Sequence, residues 1–428
     1  MEIKRDKYLN DLIIRMHNGM IKVVTGVRRC GKTYLLFTLF RAYLHDLGVN
    51  DAHVVGIALD DEENASYRDP AILSKYLRSC ITNDGDMYYV LLDEVQYAIS
   101  DDELKSDQPP RLYGVLNGLL RLQNVDVYVT GSNSKLLSSD VMTQFRGRGD
   151  EINVRPFSFS EFMQGFGDDI YKGWSEYVTF GGMPSTLSMK TDEQKARYLE
   201  GLFNETYLKD IVSRNKLTKT QELDALVNVL ASNIGALTSP TKIEAIFKSV
   251  LHSKISANTI AAYIGYLEEA FLVEEAERYD VKGRKHIGSP KKYFFVDPGL
   301  RNARLDFRRI EQTHLMENII YNELRMRGYS VDVGAVQKRG KEDGKAYSKW
   351  LEVDFVANLG SVRNYIQSVL RLPDAEKVAQ ETASLSEISD SFKKIVLVRD
   401  VIKANRDENG ILFMSIYDFL LNENSLDW

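Results

Sequence analysis

Residues Gly26-Val27-Arg28-Arg29-Cys30-Gly31-Lys32-Thr33 set two glycines, a lysine and a hydroxyl in the spacing G-x-x-x-x-G-K-T. These residue types suit one chemistry. A loop bounded by Gly26 and Gly31 turns backbone N–H groups inward around a diphosphate, Lys32 reaches the outer phosphates, and Thr33 offers a hydroxyl to Mg²⁺. The helix that must follow adds the positive end of its dipole. A chance match in a strand-to-helix turn is the competing reading. The flanks oppose it: the apolar residues Met20, Ile21, Val23 and Val24 precede the loop, and Tyr34-Leu35-Leu36-Phe37 follows. The predicted nucleotide contacts are Gly26, Val27, Arg28, Arg29, Cys30, Gly31, Lys32, Thr33 and Tyr34.

A second acidic position lies 61 residues beyond Lys32, where Tyr88-Tyr89-Val90-Leu91-Leu92 ends in Asp93-Glu94. Beside a phosphate loop, Asp93 holds Mg²⁺ through its water shell and Glu94 orients or deprotonates the attacking water. Without the loop, an acidic pair after a buried strand is an ordinary exposed turn. A further strand ends Val127-Tyr128-Val129-Thr130-Gly131-Ser132-Asn133, so Ser132 or Asn133 either senses the γ-phosphate or belongs to a plain Gly-Ser-Asn turn. Arg146 and Arg148 stand before the next strand. They are either phosphate-facing arginines, serving their own site or a neighbouring subunit's, or solvated side chains in a glycine-rich turn.

Alternating patterns must position these groups. Strands are predicted at Ile21–Thr25, His53–Leu59, Tyr88–Asp93, Val125–Thr130 and Glu151–Arg155, with helices at Tyr34–Leu47, Pro70–Ile81 and Arg111–Gln123. Such alternation predicts an α/β fold with a helix-covered parallel sheet over residues 1–160.

Taken together, these pieces resemble the bacterial and archaeal P-loop ATPases of the AAA superfamily that carry a C-terminal domain of unknown function. The resemblance rests on the loop, on Leu91-Leu92-Asp93-Glu94-Val95-Gln96 and on Thr130-Gly131-Ser132-Asn133. It extends to Phe145-Arg146-Gly147-Arg148-Gly149, Pro156-Phe157-Ser158-Phe159-Ser160-Glu161-Phe162 and Gly181-Gly182-Met183-Pro184. It implies ATP as the ligand, bound with Mg²⁺ at Thr33 and Asp93. Hydrolysis would be carried by Glu94 and Lys32, with Arg146 and Arg148 as candidate catalytic arginines and Asn133 as a nucleotide contact.

Beyond residue 160 the pattern changes. Residues 161–235 read as a helical lid or bridge, with Gly181-Gly182-Met183-Pro184 as a turn or helix break. Over 236–305, helices Thr241–Leu251 and Ser256–Ala270 and a hairpin ending at Lys292–Val296 predict a winged helix. Its wing, residues 282–292, holds Lys282, Arg284, Lys285, Lys291 and Lys292 without an acid, which suits phosphate contact. The recognition helix has no Lys or Arg and carries Glu268 and Glu269, which suits a protein-binding module better than base readout. Residues 306–428 read helix, three strands, helix, strand, an order that resembles the restriction-endonuclease-like core. Asp354 sits where a metal-binding aspartate belongs, but Gln367-Ser368-Val369 replaces the expected acid-x-lysine, so this domain is expected to be inactive.

Composition bounds the rest. At 428 residues, 44% hydrophobic and 27% charged, the chain is a globular protein of several domains. A net charge of −6 opposes a general nucleic-acid coat but permits a local basic patch. No apolar run of eighteen residues is present, which excludes a membrane-spanning helix. Met1-Glu2-Ile3-Lys4-Arg5-Asp6 lacks a signal segment, and Cys30 and Cys80 form no disulfide framework, so the cytoplasm is the expected compartment. The leading expectation is an ATPase whose cycle rearranges attached domains and a partner docked through the C-terminal domain. The alternatives are an ATP-driven machine that holds DNA through the wing, or an ATP-binding scaffold with negligible turnover. Assembly into oligomers is left open.

Overall fold

Strands β1 (Ile21–Thr25), β2 (Val54–Ala58), β3 (Tyr88–Asp93), β4 (Val125–Thr130) and β5 (Gly149–Asn153) form a parallel sheet in the order β2-β3-β4-β1-β5. The structure is a computed structural model and describes residues 3–100, 102–103, 106, 108–132, 148–308, 310–342 and 345–428. Every residue of β1, β3 and β4 is buried, as expected for strands covered on both faces. Leu73 and Leu77 of the helix Pro70–Cys80, and Leu112, Leu116 and Leu119 of the helix Arg111–Leu119, pack on Val23, Val90 and Val127. Burying each such side chain stabilises by roughly 1.5–3 kcal/mol. The strand predicted at 53–59 is β2 at the sheet edge, and β4 separates β1 from β3. The helix after the loop begins at Lys32–Tyr34, widens to a π-helical stretch over Leu35–Phe40, and continues as Arg41–Asp46.

The chain divides into two compact units. The first holds this sheet and comprises Met1–Pro156 with Glu268–Phe271; the second comprises Phe157–Leu267 and Leu272–Trp428.

The second unit is built on an eight-stranded mixed sheet. Its strands are β6 (Val273–Asp280), β7 (Lys285–Phe295), β8 (Ser330–Glu342), β9 (Lys345–Leu359), β10 (Val362–Val369), β11 (Lys393–Val398), β12 (Asn405–Arg406) and β13 (Leu412–Ser415), in the order β12-β13-β11-β10-β9-β8-β6-β7. Here the structure departs from the expected domain boundary at 305/306. The hairpin β6–β7, anticipated as a free wing, joins the C-terminal sheet: Arg278, Tyr279 and Asp280 of β6 pair in parallel with Val333, Gly334 and Ala335 of β8. Backbone pairing of this kind leaves no gradient of polarity in the sequence, so the composition of the wing could not reveal it.

Gly181-Gly182-Met183-Pro184 is a helix end set against a buried carboxylate. Gly181 terminates the helix Ile170–Phe180 at φ +72°, where an added Cβ would lie 2.1 Å from Asp297 Oδ1. The Gly182 N–H donates to Asp297 Oδ2 at 2.6 Å, and Asp297 also caps the helix Pro298–Ala303 through Leu300 N–H at 3.0 Å.

Candidate nucleotide-binding site

The loop leaves β1 at Gly26, whose φ of +136° is open only to glycine, and whose missing Cβ would stand 2.0 Å from the Val154 carbonyl oxygen. Gly31, at φ +99°, starts the helix that carries Lys32 and Thr33. Lys32 is buried, and its Nζ donates to the Gly26 and Val27 carbonyls at 3.0 and 3.1 Å, so the ammonium stands inside the turn of the loop. It also lies 4.0 Å from Glu94 Oε1. Tyr34 and Arg29 are exposed, and Arg28 donates to the Tyr97 hydroxyl at 3.2 Å. Cys30 is buried with its sulfur against the Val154 carbonyl at 3.2 Å, and burial raises its thiol pKa.

The acids predicted from the second motif meet the loop. Thr33 Oγ1 donates to Asp93 Oδ2 at 2.7 Å, although β3 is two strands away from β1. Thr130 at the end of β4 joins them: its hydroxyl donates to Asp93 Oδ1 and accepts the Glu94 N–H at 2.9 Å. Glu94 holds a left-handed backbone (φ 50°, ψ 52°), a strained setting for a non-glycine residue that occurs at functional positions. Its Oε2 accepts from Ser132 Oγ at 3.2 Å and from the Gln96 amide. Burial raises the Asp93 pKa, opposed by the hydroxyls of Thr130 and Thr33. A hydroxyl and a carboxylate in contact at the loop exit are hard oxygen donors, the type Mg²⁺ takes, so these residues fit the ion.

Three groups escaped sequence reasoning. Thr130 ends β4 one residue before the Gly131-Ser132 turn, and nothing in its local sequence marks it as the bridge between Asp93 and the Glu94 N–H. Gln96 ends the motif that begins at Leu91, and its amide donates to Glu94 Oε2. Arg5, 25 residues before Cys30, is 2% exposed and donates to the carbonyls of Cys30 and Arg155 at 2.8 and 2.7 Å. Its guanidinium lies over the Tyr8 ring, 4.5 Å from the centroid, and braces the back of the loop. An isolated arginine near a chain start carries no signal of such a role.

Two predicted contacts, Asn133 and Arg146, lie outside the described residues. Arg148 requires a correction. Its carbonyl accepts the N–H of Ile21, the first residue of β1, and Gly149 is level with Ile21. It therefore stands at the opposite end of the sheet from the loop, about 16 Å along a strand of this length. Arg148 cannot face the phosphates bound by its own chain.

The nuclease-like pattern also converges, with an unforeseen occupant. Lys292 of β7, 2% exposed, sets its Nζ 3.1 Å from Glu317, 2.8 Å from Glu352 and 3.9 Å from Asp354. Burial works against the ammonium, but the charges of Glu317, Asp354 and Glu352 outweigh it and raise its pKa. Burial, then the Glu317 charge, raises the pKa of Asp354. A register shift between Asp332 and Gly334 gives β9 one extra residue, and Asp354 lies at that bulge. Gln367 turns its amide oxygen to the Asp354 N–H at 3.4 Å, and Val369 belongs to the core with Tyr365, Leu385 and Val396. Lys291 is likewise held, by Glu275 and Glu277. Of the five wing cations expected to meet phosphate, Lys292 is therefore an internal counter-ion and Lys291 is ion-paired at the surface.

Residues 18–163 match the family model described as AAA domain, and residues 171–311 match a domain of unknown function (DUF8612). An uncharacterized protein of Haemophilus influenzae is 32% identical over 424 residues, 98% of either chain. An uncharacterized protein of Methanocaldococcus jannaschii is 26% identical over 406 residues, 90% of this chain and 83% of its own length. A Walker-type ATPase of Pyrococcus abyssi superposes with a TM-score of 0.50 at 16% identity, over 71% of this chain and 96% of that one, a likeness of fold. Among the described residues, no helix is long and apolar enough to cross a membrane. The N-terminal unit has the parallel five-stranded sheet of P-loop NTPases, and the chain belongs to the family of the Haemophilus influenzae protein, with an AAA domain followed by a domain of unknown function.

Proposed function

We propose that this protein binds ATP with Mg²⁺ and hydrolyses it, and that the cycle rearranges the second unit or a partner docked on it. The observation that carries this reading is the chain of contacts Thr33–Asp93–Thr130–Glu94 at the exit of the loop. Mg²⁺, held by Thr33 and Asp93, would supply positive charge to the phosphates. Lys32 and the loop amides would bind and orient the phosphates. Thr130 couples the two acids, so a shift of Asp93 is transmitted to the Glu94 backbone. Glu94, steadied by Ser132 and Gln96, would accept hydrogen bonds from water and hold it in line. Arg146 or Arg148 of a neighbouring subunit would assist if the protein assembles into oligomers. The C-terminal acids would not cut nucleic acid, because Lys292 neutralises them from within and no lysine stands at position 369.

Steady-state phosphate release tests the reading. Glu94→Gln should retain ATP affinity within about threefold and lose turnover by at least about 100-fold, while Lys32→Ala should lose binding itself. Parent-like turnover in Glu94→Gln would overturn the role of Glu94. Tight ATP binding by a parent that releases no phosphate would instead support the scaffold.

A further inference from the structure

The longest hairpin of the second unit continues past the sheet that holds it. Pairing of β9 with β10 begins at Phe355, and pairing of β8 with β6 ends at Ala335. From Gln337↔Trp350 to Glu342↔Lys345, the strands β8 and β9 pair, among the described residues, only with each other. These six cross-strand pairs make a free two-stranded ribbon about 20 Å long.

Its composition is costly for a merely structural hairpin. Residues 337–350 hold five cations (Lys338, Arg339, Lys341, Lys345 and Lys349) against two acids, in a chain of net charge −6. Lys338 and Lys349 are directly opposite, a like-charge pairing that destabilises a ribbon. Lysine on its own would serve to blunt an exposed edge against aggregation. The aromatic residues do not fit that purpose: Trp350 is 45% exposed and Tyr347 39% exposed.

The turn between β6 and β7 lies alongside. Lys282 Nζ donates to the Gln337 carbonyl at 2.9 Å, and Lys282 and Lys338 share Glu387 at 3.2 and 3.6 Å. Arg284, Lys285, Arg339 and Lys349 are exposed, with no carboxylate of another described residue in ion-pair range. Two adjacent hairpins thus present exposed cations interleaved with aromatic rings. We propose that the paired strands 337–342 and 345–350, with the Lys282–Lys285 turn beside them, are a docking surface for duplex DNA. A two-stranded ribbon enters the roughly 12 Å major groove of B-form DNA, whereas the major groove of duplex RNA is too narrow to admit it. Arg284, Lys285, Arg339 and Lys349 contact phosphates, and Trp350 contributes apolar contact. This inference is independent of the nucleotide-site reading, and it places DNA contact on the ribbon rather than on Lys291 and Lys292.

Fluorescence anisotropy of a labelled 20-base-pair duplex of mixed sequence, titrated with full-length protein between 50 and 200 mM NaCl, tests it. The parent should bind, with affinity falling steeply as salt rises. The variant R284A/K285A/R339A/K349A should bind at least about tenfold more weakly at 100 mM salt. Its slope of log affinity against log salt should be shallower by about 3.6, four contacts at about 0.9 each. Trp350→Ala should weaken binding and leave the slope unchanged. Circular dichroism melts matching the parent establish that the variants are folded. No binding by the parent at 50 mM salt, parent affinity and slope in the fourfold variant, or equal affinity for an RNA duplex would each overturn the proposal.

Discussion

Replacing Lys292 by Met keeps the apolar stem and removes only the ammonium, so it isolates the charge at the centre of the second unit. The Lys292 side chain is 3% exposed and those of Glu317 and Asp354 are each 9% exposed, so both carboxylates lose their counter-ion inside the protein. Glu352 is 40% exposed and water screens it, so its share is neglected. Breaking a buried pair from one side costs about 3–5 kcal/mol. Asp354 keeps the Ser368 N–H at 2.8 Å, which favours the lower half of that range. The expected loss is about 3–4 kcal/mol at pH 8. Acidity should relieve it. Burial raises the pKa of both Glu317 and Asp354, so the folded form takes up protons at a higher pH than the unfolded chain. Stability from these groups is fully present at low pH and is lost as pH rises through their raised folded values. Removing the nearby cation raises those values further, so the deficit relative to the parent should fall to about half at pH 5. Urea unfolding followed by tryptophan fluorescence reads this cleanly, because all three tryptophans, Trp174, Trp350 and Trp428, belong to the second unit. A deficit under about 1 kcal/mol at pH 8, or one that does not change between pH 8 and pH 5, would refute the internal counter-ion.

Arg5→Ala removes a guanidinium bonded to two carbonyls at the back of the loop, each charge-assisted bond contributing roughly 1.5–3 kcal/mol. ATP affinity measured by calorimetry should fall by at least about tenfold, with Arg5→Lys only partly restoring it; unchanged affinity in Arg5→Ala would remove Arg5 from the site. Plasmid and short duplexes incubated with the protein in Mg²⁺ or Mn²⁺ should stay intact, and cleavage that disappears in Asp354→Ala would contradict the inactive reading of the C-terminal acids.

How much was legible from sequence follows from the range of each interaction. The loop is eight consecutive residues, and its chemistry depends on glycine, lysine and threonine at fixed short offsets, so the motif is complete within one stretch of chain. The strands β1, β3 and β4 have the bounds expected from sequence because their runs are mainly apolar, interrupted in β1 by Lys22 and in β4 by Asp126, which are buried and pair with each other. Asp93 and Glu94 were found because a strand end marks them. By contrast, Thr130 lies 37 residues from Asp93, Arg5 lies 150 from Arg155, and Lys292 lies 25 from Glu317 and 62 from Asp354. No local pattern encodes those distances.

Lys292 shows the limit most clearly. In sequence it is one of five wing cations, equivalent to Lys285 by every compositional measure. Only the pairing of β6 with β8 brings the base of that hairpin over the Glu317–Asp354 acids, and burial then converts a presumed phosphate contact into a counter-ion. Arg148 is the reverse case. Its place near the glycine-rich turn suggested a phosphate contact, and the direction of β5 puts it at the far end of the sheet. Sequence determined the loop chemistry and most elements of the first sheet, because both are written in neighbouring residues, although β5 begins two residues before the expected Glu151 and the short strands β12 and β13 were not expected. Tertiary structure decided which charges meet, because partners distant in the chain are chosen by strand order and register.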